Sequence, residues 1–291
     1  MPVSLFPHVF SIDLEEYFQA NALERVAPRE RWDELPWRVE ASAQVLLDLL
    51  ESHGATATFF TLGWIARRHG ALLRRIVAAG HEIASHGFWH QRVVNLTPEQ
   101  FREDVRDARA ALEQEAGVPV RGYRAPSFSI VPGREWAFDV LLEEGYRYDS
   151  SLFPIRRRGY GYPGAPPEPH WITRPSGRLF ELPIMTTVLG GIRVPAGGGG
   201  WFRQLPAWVT HRALREHERG GRSGMFYIHP WDLDDGQPRL PVPLPARIRH
   251  YRGLARTLPR LRALLGAFSF TSVARRYWAE LREGVPSAAP A

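Results

Sequence analysis

The sequence predicts an α/β protein built around a parallel sheet or barrel. Short strand-like runs and helix-like runs alternate through the first 150 residues, with about 25–40 residues from one strand to the next. Such alternation is typical of strand–helix–strand units, in which each helix returns the chain so that neighbouring strands run parallel. Polar and charged residues directly follow several strand-like runs. Because the carboxyl ends of parallel strands meet at one rim, we expect those residues to lie together.

The first half of the chain supplies five of the predicted strands. Each is a short run in which β-branched or aromatic residues are common. Between the strands, apolar residues recur at helical spacing and several runs stop at a glycine, which predicts helices that return the chain to the sheet. The predicted strands are 8–12, 55–61, 81–85, 122–128 and 146–151, and the predicted helices are 37–53, 64–79, 97–115 and 136–144.

The second half is less regular. Residues 153–178 are rich in proline, glycine and arginine without clear periodicity, which predicts a long surface excursion on the substrate side. Glycines 197–200 before Trp201 indicate either a flexible loop beside a pocket or a simple connector. No repeat or composition shift marks a boundary, so residues 1–285 are predicted as one domain and 286–291 as a disordered tail. The predicted strands are 179–185, 192–195, 225–229 and 270–273, and the predicted helices are 205–218, 248–268 and a last one after 273.

Composition limits the classes of function. The 291 residues are 44% hydrophobic and 23% charged, an ordinary globular composition. Cysteine is absent, so a metal ion would be held by nitrogen and oxygen atoms. The net charge is +6 and lysine is absent, but the arginines are scattered along the chain. That scatter argues against nucleic-acid binding and leaves an anionic glycan or a membrane face as partners for a basic surface.

The N-terminus and the hydropathy of the chain bear on its location. Residues 1–6 lack a positive region and a long apolar run, so no signal peptide is expected. No window approaches the roughly 18 consecutive apolar residues of a membrane-spanning helix. The sequence therefore favours a cytoplasmic protein and leaves the inner face of the membrane open as a location.

Two histidines follow the predicted strand at 81–85. His86 and His90 stand four residues apart, so a helical turn would point both imidazoles the same way and let them share one metal ion. Parallel α/β folds usually place their chemistry just past the carboxyl end of a strand, as here. Two solvated or hydrogen-bonded loop histidines are the alternative. The metal hypothesis therefore depends on a carboxylate and proton-transfer groups at other strand ends.

Other strand ends carry ionisable groups that a plain core would not place there. They are Asp13, Glu15, Glu16, Arg124, Asp149 and His229. With the histidine pair they suggest a metal held by two histidines and one carboxylate, with open positions for water, as in hydrolytic zinc enzymes. A further carboxylate and a further histidine remain for proton transfer. Taken singly, each residue has a simpler explanation as a solvated strand exit, an ion pair, a turn former or a core histidine.

Five motifs carry a family resemblance. They are S-I-D-L-E-E at 11–16, S-H-G-F-W-H at 85–90, R-A-P-S at 124–127, Y-D-S-S at 148–151 and Y-I-H-P at 227–230. In this order they resemble the polysaccharide deacetylase (NodB-homology) family of carbohydrate esterases, over about residues 8–275. Three elements are also similar to the branch of the family found with bacterial exopolysaccharide gene clusters. These elements are Asp13–Phe18, Gly198–Arg203 and His250–Pro259.

The resemblance implies a fold, a cofactor and a reaction. It implies a distorted (β/α)7 barrel, a divalent metal that is usually Zn²⁺, and removal of acetyl groups from an N-acetylated glycan substrate. It also implies peripheral association with membrane polysaccharide machinery. Carried over residue by residue, the resemblance implies that His86 and His90 bind the metal. It implies that Asp13 is the general base and that Arg124 orients it. It also implies that His229 is the general acid and that Asp149 pairs with it.

The chain departs from the family pattern after Asp13. The common first motif has two adjacent aspartates, the second of which binds the metal, whereas here Leu14 follows Asp13. Residues two positions apart on a strand point to the same side, so Glu15 is predicted as the third metal ligand. Glu16, or Asp13 itself, is the alternative.

Substrate contacts are predicted around these residues. A backbone N–H within 125–127 would hold the oxyanion together with the metal. Aromatic side chains are candidates for stacking on sugar rings, although most tryptophans pack in cores. The aromatic candidates are Trp89, Trp201 and Trp231, with Tyr160 and Tyr162 as further ones, and Pro126 is a non-aromatic candidate for substrate contact. Two alternatives remain, a related barrel that hydrolyses a small cyclic amide or ureide and an inactive glycan-binding protein. A closed pocket favours the small substrate, and an open groove favours a glycan.

Overall fold

A computed structural model describes residues 6–157 and 159–283, so the predicted tail at 286–291 lies outside the described residues. Over the described residues the chain forms eleven strands. They are β1 (His8–Leu14), β2 (Thr58–Thr61), β3 (Glu82–Ser85), β4 (Gly122–Tyr123), β5 (Tyr148–Asp149), β6 (His170–Arg174), β7 (Gly177–Glu181), β8 (Thr186–Leu189), β9 (Ile192–Pro195), β10 (Met225–Ile228) and β11 (Phe270–Thr271).

Eleven α-helices lie between and around these strands over the same residues. They are α1 (Val39–Ser52), α2 (Gly63–Arg68), α3 (Gly70–Ala78), α4 (Pro98–Ala116), α5 (Trp136–Glu143), α6 (Gly199–Gln204), α7 (Ala207–Arg219), α8 (Leu244–Tyr251), α9 (Thr257–Ala267), α10 (Val273–Arg276) and α11 (Trp278–Glu283). The sequence Thr-Pro-Glu-Gln at 97–100 has the spacing that predicts a capping box, and Thr97 and Gln100 form it at the start of α4. In the part of the chain that the structure describes, each helix is too short or too polar to cross a bilayer.

Seven parallel strands form the continuous part of the main sheet. Their order is β10-β1-β2-β3-β4-β5-β7, with β6 antiparallel beside β7 and β11 beside the start of β1. Backbone hydrogen bonds connect the two ends of this path. The Met185 N–H donates to the Met225 carbonyl at 3.2 Å, and the Tyr227 N–H donates to the Gly197 carbonyl at 2.7 Å. The segments after β7 therefore reach β10 and curve the sheet into a distorted barrel, which confirms the predicted fold class.

Alternating residues of β1 separate an inner from an outer core. Every residue of β1 is buried. Val9 packs in one cluster with Phe60 of β2 and Tyr227 of β10, whereas Phe10 packs in another with apolar residues of the surrounding helices. Asp13 shares the side of Val9, because successive strand residues alternate between the two faces. The strand thus directs Asp13 into the barrel at its carboxyl end.

Several predicted elements differ from the structure. The predicted helix at 64–79 is the two helices α2 and α3, and the predicted strand at 122–128 is the short strand β4 followed by a 3₁₀ helix at Pro126–Phe128. Residues 153–178 include regular structure, because β6 lies within them and pairs antiparallel with β7. The predicted helix at 248–268 is instead the two helices α8 and α9, since Gly253 adopts a φ of +82° between them. The predicted glycine loop or connector at 197–200 instead runs into α6, which begins at Gly199.

Candidate metal centre and catalytic cavity

Three side chains from two strand ends meet at the carboxyl rim of the barrel. Glu15 follows β1, and His86 and His90 follow β3. Nε2 of His90 lies 2.7 Å from Oε2 of Glu15, and Nε2 of His86 lies 3.9 Å from the same oxygen. One ligand atom from each residue lies within 4.8 Å of the other two. The structure therefore brings together the three predicted metal ligands.

The two histidines converge through a bent loop and not through the helical turn that the sequence suggested. The chain leaves β3 through Gly87 and His90, whose φ values of +76° and +53° lie in the left-handed region. Asp104 of α4 fixes this bend, because its carboxylate accepts the N–H of Phe88 at 2.9 Å and the N–H of Trp89 at 3.2 Å. The relative position of His86 and His90 thus depends on packing of their loop against α4.

The hydrogen-bonding pattern of the cluster fits a divalent cation. Nδ1 of His86 lies 2.8 Å from the carbonyl oxygen of Arg124, so Nδ1 donates and Nε2 carries the lone pair. Burial lowers the pKa of His86 to about 4, which keeps the ring neutral at pH 7. Oε2 of Glu15 is buried, and its nearest polar neighbours are the Nε2 atoms of His90 and His86. Burial alone would raise the pKa of Glu15, but His90 and His229 lower it. A buried carboxylate oxygen facing two imidazole nitrogens is a suitable ligand set.

Glu16 is occupied elsewhere and does not serve as the alternative ligand. Its carboxylate accepts the backbone N–H of Arg38 at 2.7 Å and that of Val39 at 2.9 Å, where α1 begins. Burial raises the pKa of Glu16 to about 7. Glu16 therefore caps α1, while Glu15 faces the barrel rim, as expected for neighbours that point to opposite sides.

Asp13 is held by a fully buried arginine. Nη1 of Arg124 donates to Oδ1 of Asp13 at 2.6 Å. The remaining nitrogens of Arg124 donate to the carbonyl oxygen of Ser150 at 3.2 Å and to its hydroxyl at 2.9 Å. The guanidinium also lies 4.0 Å from the ring centre of Phe60. These contacts fix the Asp13 carboxylate with Oδ2 3.9 Å from Nε2 of His229.

His229 pairs with Asp232 and not with Asp149, which corrects the predicted partner. Nδ1 of His229 lies 2.8 Å from Oδ2 of Asp232, and the backbone N–H of His229 donates to the same oxygen at 3.0 Å. Nε of Arg203 lies 2.5 Å from Oδ1 of Asp232, so the carboxylate stands between two basic groups. Burial alone would lower the pKa of His229, but neighbouring carboxylates, Asp232 first among them, raise it to about 9.

Asp149 lies in a different part of the barrel. Its Oδ1 accepts the Ser151 hydroxyl at 2.6 Å, and its Oδ2 accepts the Ser151 N–H at 3.1 Å. It is in register with Glu181 of β7, and burial raises the pKa of both carboxyls. Along the sheet, four strands separate β5 from β10, the strand that precedes His229. Because both oxygens of Asp149 accept hydrogen bonds from Ser151, Asp149 orders the chain after β5 and does not contact the predicted partner.

The ligand cluster, Asp13 and His229 line one cavity of about 660 Å³. Among the candidates for substrate contact, Trp201 and Tyr160 line the same cavity, and Trp89 lines an adjoining one. Pro126 is buried and lines neither of these cavities. Tyr162 donates its hydroxyl to Glu135 at 2.6 Å and lines neither cavity.

Trp231 acts on the site through its contacts with the site residues. Its ring stacks on His229 at 4.5 Å between centroids and on His250 at the same distance. Its Nε1–H donates to Oε1 of Glu15 at 2.9 Å, which leaves Oε2 directed at the histidines. Although Trp231 reaches the cavity, it is 7% exposed, so its main effect is to orient His229 and Glu15.

Asp232 and Arg203 are the site residues that sequence reasoning missed. Asp232 stands at the third position of the short 3₁₀ helix Pro230–Leu233, the capping-box spacing after the motif histidine. That spacing is the signal that could have identified it. Arg203 closes the element at 198–203 and donates to the carbonyl oxygens of His250 and Arg252, each at 2.8 Å. Two elements that resemble the exopolysaccharide branch therefore meet beside Asp232.

Two family profiles match consecutive parts of the chain. Residues 31–132 match the family Polysaccharide deacetylase, and residues 150–278 match a domain of unknown function (DUF3473). One curated relative is the peptidoglycan-N-acetylglucosamine deacetylase of Bacillus cereus, which is 30% identical over 102 residues. That match covers 35% of this chain and 46% of the relative. The chain thus spans less than half the length of this relative.

Two solved structures are similar over nearly the whole chain. A Mycobacterium smegmatis protein with a provisional polysaccharide deacetylase name superposes with a TM-score of 0.65 at 20% identity, covering 100% of this chain and 96% of that one. The Puue allantoinase superposes with a TM-score of 0.57 at 19% identity, covering 93% of this chain and 89% of that one. At these identities the likeness is one of fold.

Proposed function

The chain is a member of the polysaccharide deacetylase family through residues 31–132, and we propose that it is a metal-dependent hydrolase that removes N-acetyl groups from an N-acetylhexosamine-containing polysaccharide or oligosaccharide. The observation that supports this most is the convergence of three chemical roles in one cavity. Nε2 of His229 lies 3.9 Å from Oδ2 of Asp13 and 3.8 Å from Oε1 of Glu15. A proton donor, a proton acceptor and a metal-ligand set are therefore within reach of one amide.

Glu15, His86 and His90 would hold the cation, and the proposal takes it to be Zn²⁺ because hydrolytic zinc sites use nitrogen and oxygen ligands with open positions. When bound, the metal supplies Lewis-acid polarisation of the acetyl carbonyl and lowers the pKa of water to roughly 7. The chain prepares these ligands with outer contacts. Nδ1–H of His86 donates to the Arg124 carbonyl oxygen, and Nε1–H of Trp231 donates to Oε1 of Glu15.

Asp13 is proposed as the general base. The ion pair with Arg124 occupies Oδ1 and leaves Oδ2 near the proton donor and the metal-ligand cluster. A carboxylate in this position can accept a proton from the attacking water as the bond to the acetyl carbon forms. The other contacts of Arg124, to Ser150, keep the base from rotating out of line.

Ser127 is proposed to supply the backbone donor for the oxyanion. Within the predicted segment, the Ala125 N–H already donates to Oγ of Ser151 at 2.8 Å, and Pro126 has no N–H. The Ser127 N–H lies in the first turn of a 3₁₀ helix, where backbone donors have no acceptor within the helix. Its φ of +57° gives this turn a conformation uncommon for residues other than glycine.

His229 is proposed as the general acid. Asp232 accepts a hydrogen bond at Nδ1, which directs Nε2 toward the space between Asp13 and Glu15. With a pKa raised to about 9, the ring is protonated at neutral pH and can deliver a proton to the leaving amine. Stacking on Trp231 holds the ring in this plane.

The shape of the site favours a glycan over a small cyclic amide. The cavity of about 660 Å³ adjoins two further cavities of about 390 and 370 Å³. A small amide would be expected in a closed pocket, whereas an oligosaccharide needs room on both sides of the reacting group. The likeness to the Puue allantoinase is one of fold and adds no support for that chemistry.

Acetate release from a tetramer of N-acetylglucosamine tests the proposed function. We expect release that requires Zn²⁺ and stops when the ion is removed by a chelator. Asp13→Asn and His229→Ala should each lower kcat about 10²–10⁴-fold, whereas Asp107→Asn, on the exposed face of α4, should leave it unchanged. Glycan binding without acetate release from any N-acetylated oligosaccharide would instead identify an inactive glycan-binding protein.

Several finer expectations remain predictions. The exopolysaccharide branch is supported by the contact of Arg203 with the carbonyl oxygens of His250 and Arg252, which belong to the two branch-like elements. The cytoplasmic location, the association with membrane polysaccharide machinery and the domain boundary at residue 285 follow from the sequence alone.

A further inference from the structure

The proposed active site is the centre of a larger cleft with two arms. One arm, of about 390 Å³, shares His90 with the central cavity, and the other, of about 370 Å³, shares Tyr160 and Arg249 with it. Asn21 lines all three cavities. A substrate bound at the metal centre would therefore extend sugars into these arms.

Four arginines of this cleft have no acidic partner among the residues that the structure describes. They are Arg157 in the central cavity, Arg249 between that cavity and one arm, Arg25 in the same arm and Arg29 in the other. Over residues 6–157 and 159–283, no carboxylate oxygen approaches these four guanidinium groups within 4.0 Å. The carboxylate that lines both arms, Glu24, is already paired with Arg92 at 3.4 Å. The cleft therefore carries positive charge that the protein itself does not neutralise.

Two of these arginines are held in place by tryptophans. The guanidinium of Arg157 lies 4.5 Å from the ring centre of Trp201, and that of Arg29 lies 4.6 Å from the ring centre of Trp89. Stacking covers one face of a guanidinium and leaves its in-plane N–H groups available for a planar oxyanion. Because the side chain is already ordered, it loses less conformational entropy when it binds a ligand.

A neutral glycan does not account for this charge. Neutral sugars are bound by hydrogen bonds and stacking, which four unpaired guanidinium groups do not improve. Each deacetylation also converts a neutral amide into an amine that is protonated at pH 7, so the product of repeated reaction would be repelled by the cleft. Anionic groups on the neighbouring sugars would reverse both effects.

We propose that the cleft selects a glycan in which the reacting N-acetylhexosamine is flanked by sugars that carry an oxyanion, either a carboxylate or a phosphate. Arg157 and Arg249 are the specificity-determining residues, because both line the cavity that holds the reacting groups. This substrate class rests on the proposed deacetylase function and narrows it.

Matched substrates test the charge requirement. The first is an oligosaccharide in which N-acetylglucosamine alternates with glucuronate, the second is its methyl ester, and the third carries phosphodiesters in place of the carboxylates. At low ionic strength we expect kcat/KM for an anionic substrate to exceed that for the ester about tenfold, and the advantage to shrink in 0.5 M salt. Whether the carboxylate or the phosphate substrate benefits identifies the source of the oxyanion.

Arginine variants test the assignment of the two residues. Arg157→Gln and Arg249→Gln should each raise KM for the preferred anionic substrate about three- to fivefold and KM for the ester by less than twofold. The matched control is Arg262→Gln, an exposed arginine of α9 that lines none of the three cavities. It should behave as the unchanged protein on every substrate.

The outcomes separate this inference from the proposed function. Equal kcat/KM for acid, phosphodiester and ester, with acetate released from all three, overturns the anionic substrate and keeps the deacetylase. Charge-dependent binding measured by calorimetry, without acetate from any substrate, supports the anionic glycan and overturns the deacetylase. If none of the three substrates binds and none releases acetate, both the anionic substrate class and the deacetylase function are overturned.

Discussion

At the scale of single residues, the adjacent carboxylates Glu15 and Glu16 have different roles. Glu15 is the proposed metal ligand, whereas Glu16 caps α1. We expect Glu15→Gln to remove bound Zn²⁺, because the amide loses the charge that faces His86 and His90. Glu16→Gln should keep the metal but lower the free energy of unfolding by about 1 kcal/mol, because the charged acceptor at the start of α1 is lost.

Metal content after dialysis and urea unfolding distinguish these two effects. Glu15→Gln should contain almost no zinc by atomic absorption, whereas Glu16→Gln should contain one ion per chain with a lower urea midpoint. Loss of zinc from the Glu16 variant, with zinc retained by the Glu15 variant, would reverse the assignment of ligand and cap.

The pair His229 and Asp232 predicts how activity depends on pH. A general acid works while it holds its proton, so activity should fall as the pH rises through the pKa of His229. Neighbouring carboxylates, Asp232 first among them, raise that pKa to about 9, and a cation held by Glu15 would lower it from there. Asp232→Asn removes the main partner of the ring, so the basic limb should move to lower pH by about one unit or more and kcat should fall.

The matched control for this pH effect is Asp149→Asn. Asp149 has its oxygens on Ser151 and does not contact His229, so its substitution should leave the basic limb of kcat in place. The measurement is kcat against pH for both variants with Zn²⁺ at saturation. A basic limb that moves in the Asp149 variant and stays fixed in the Asp232 variant would mean that Asp149 pairs with His229, as the sequence suggested.

The site residues differ in how far the sequence could identify them. Glu15 was predictable, because alternation along β1 places it on the side of Asp13. His86 and His90 were predicted as a pair, but for the wrong local reason, since packing against α4 and not a helical turn brings them together. The partner of His229 was predicted wrongly, although Asp232 lies only three residues after it at the capping-box spacing, a local signal that the family motifs do not include.

At the scale of elements, a close approach of backbones decides how α6 is placed. Gly198 pairs with Tyr227 of β10, has a φ of +121°, and a Cβ at this position would lie 1.9 Å from the Tyr227 carbonyl oxygen. We expect Gly198→Ala to lower the free energy of unfolding by about 3 kcal/mol or more, since both the contact and the dihedral angle oppose a side chain. Because α6 carries Trp201 and Arg203, KM should also rise.

Gly164→Ala is the matched control for this effect. A Cβ at Gly164 meets no atom within 4 Å, and its φ lies outside the left-handed range. Its free energy of unfolding should stay within about 0.5 kcal/mol of the unchanged protein. Thermal and denaturant unfolding of both variants provide the measurement, and equal stability of the two would contradict the packing argument.

The helices and strands that were predicted well are those with a local signal. α1, α4 and α5 were predicted nearly to their ends from periodicity, glycine stops and the capping box of α4. β6 was missed although it pairs with β7 through a tight turn, because its residues are only partly buried and show no clear alternation of polar and apolar side chains. The break between α8 and α9 was missed because Gly253, whose φ is +82°, lies against Arg203, which is far away in the sequence; a Cβ on Gly253 would lie 2.9 Å from the Arg203 carbonyl oxygen.

At the scale of the whole molecule, one sheet joins the two parts of the chain that match different families. β10 and β11, which lie within residues 150–278, both pair with β1, and Val9 of β1 is in register with Met225 and with Thr271. β1 itself precedes the first matched part and pairs with β2 inside residues 31–132, so it has strand neighbours on both edges only when both matched parts are present.

This shared sheet predicts that a fragment of residues 1–145 does not fold alone. Without β10, the inner cluster loses Tyr227 and β1 has an unpaired buried edge, while His229, Asp232 and Arg203 are missing from the site. We expect the fragment to show no cooperative unfolding by circular dichroism. Co-expression with residues 146–291 should restore cooperative unfolding and zinc binding, because the breakpoint lies between α5 and β5 and cuts no strand of the barrel. Cooperative unfolding of the fragment alone would mean that the first part is a domain by itself.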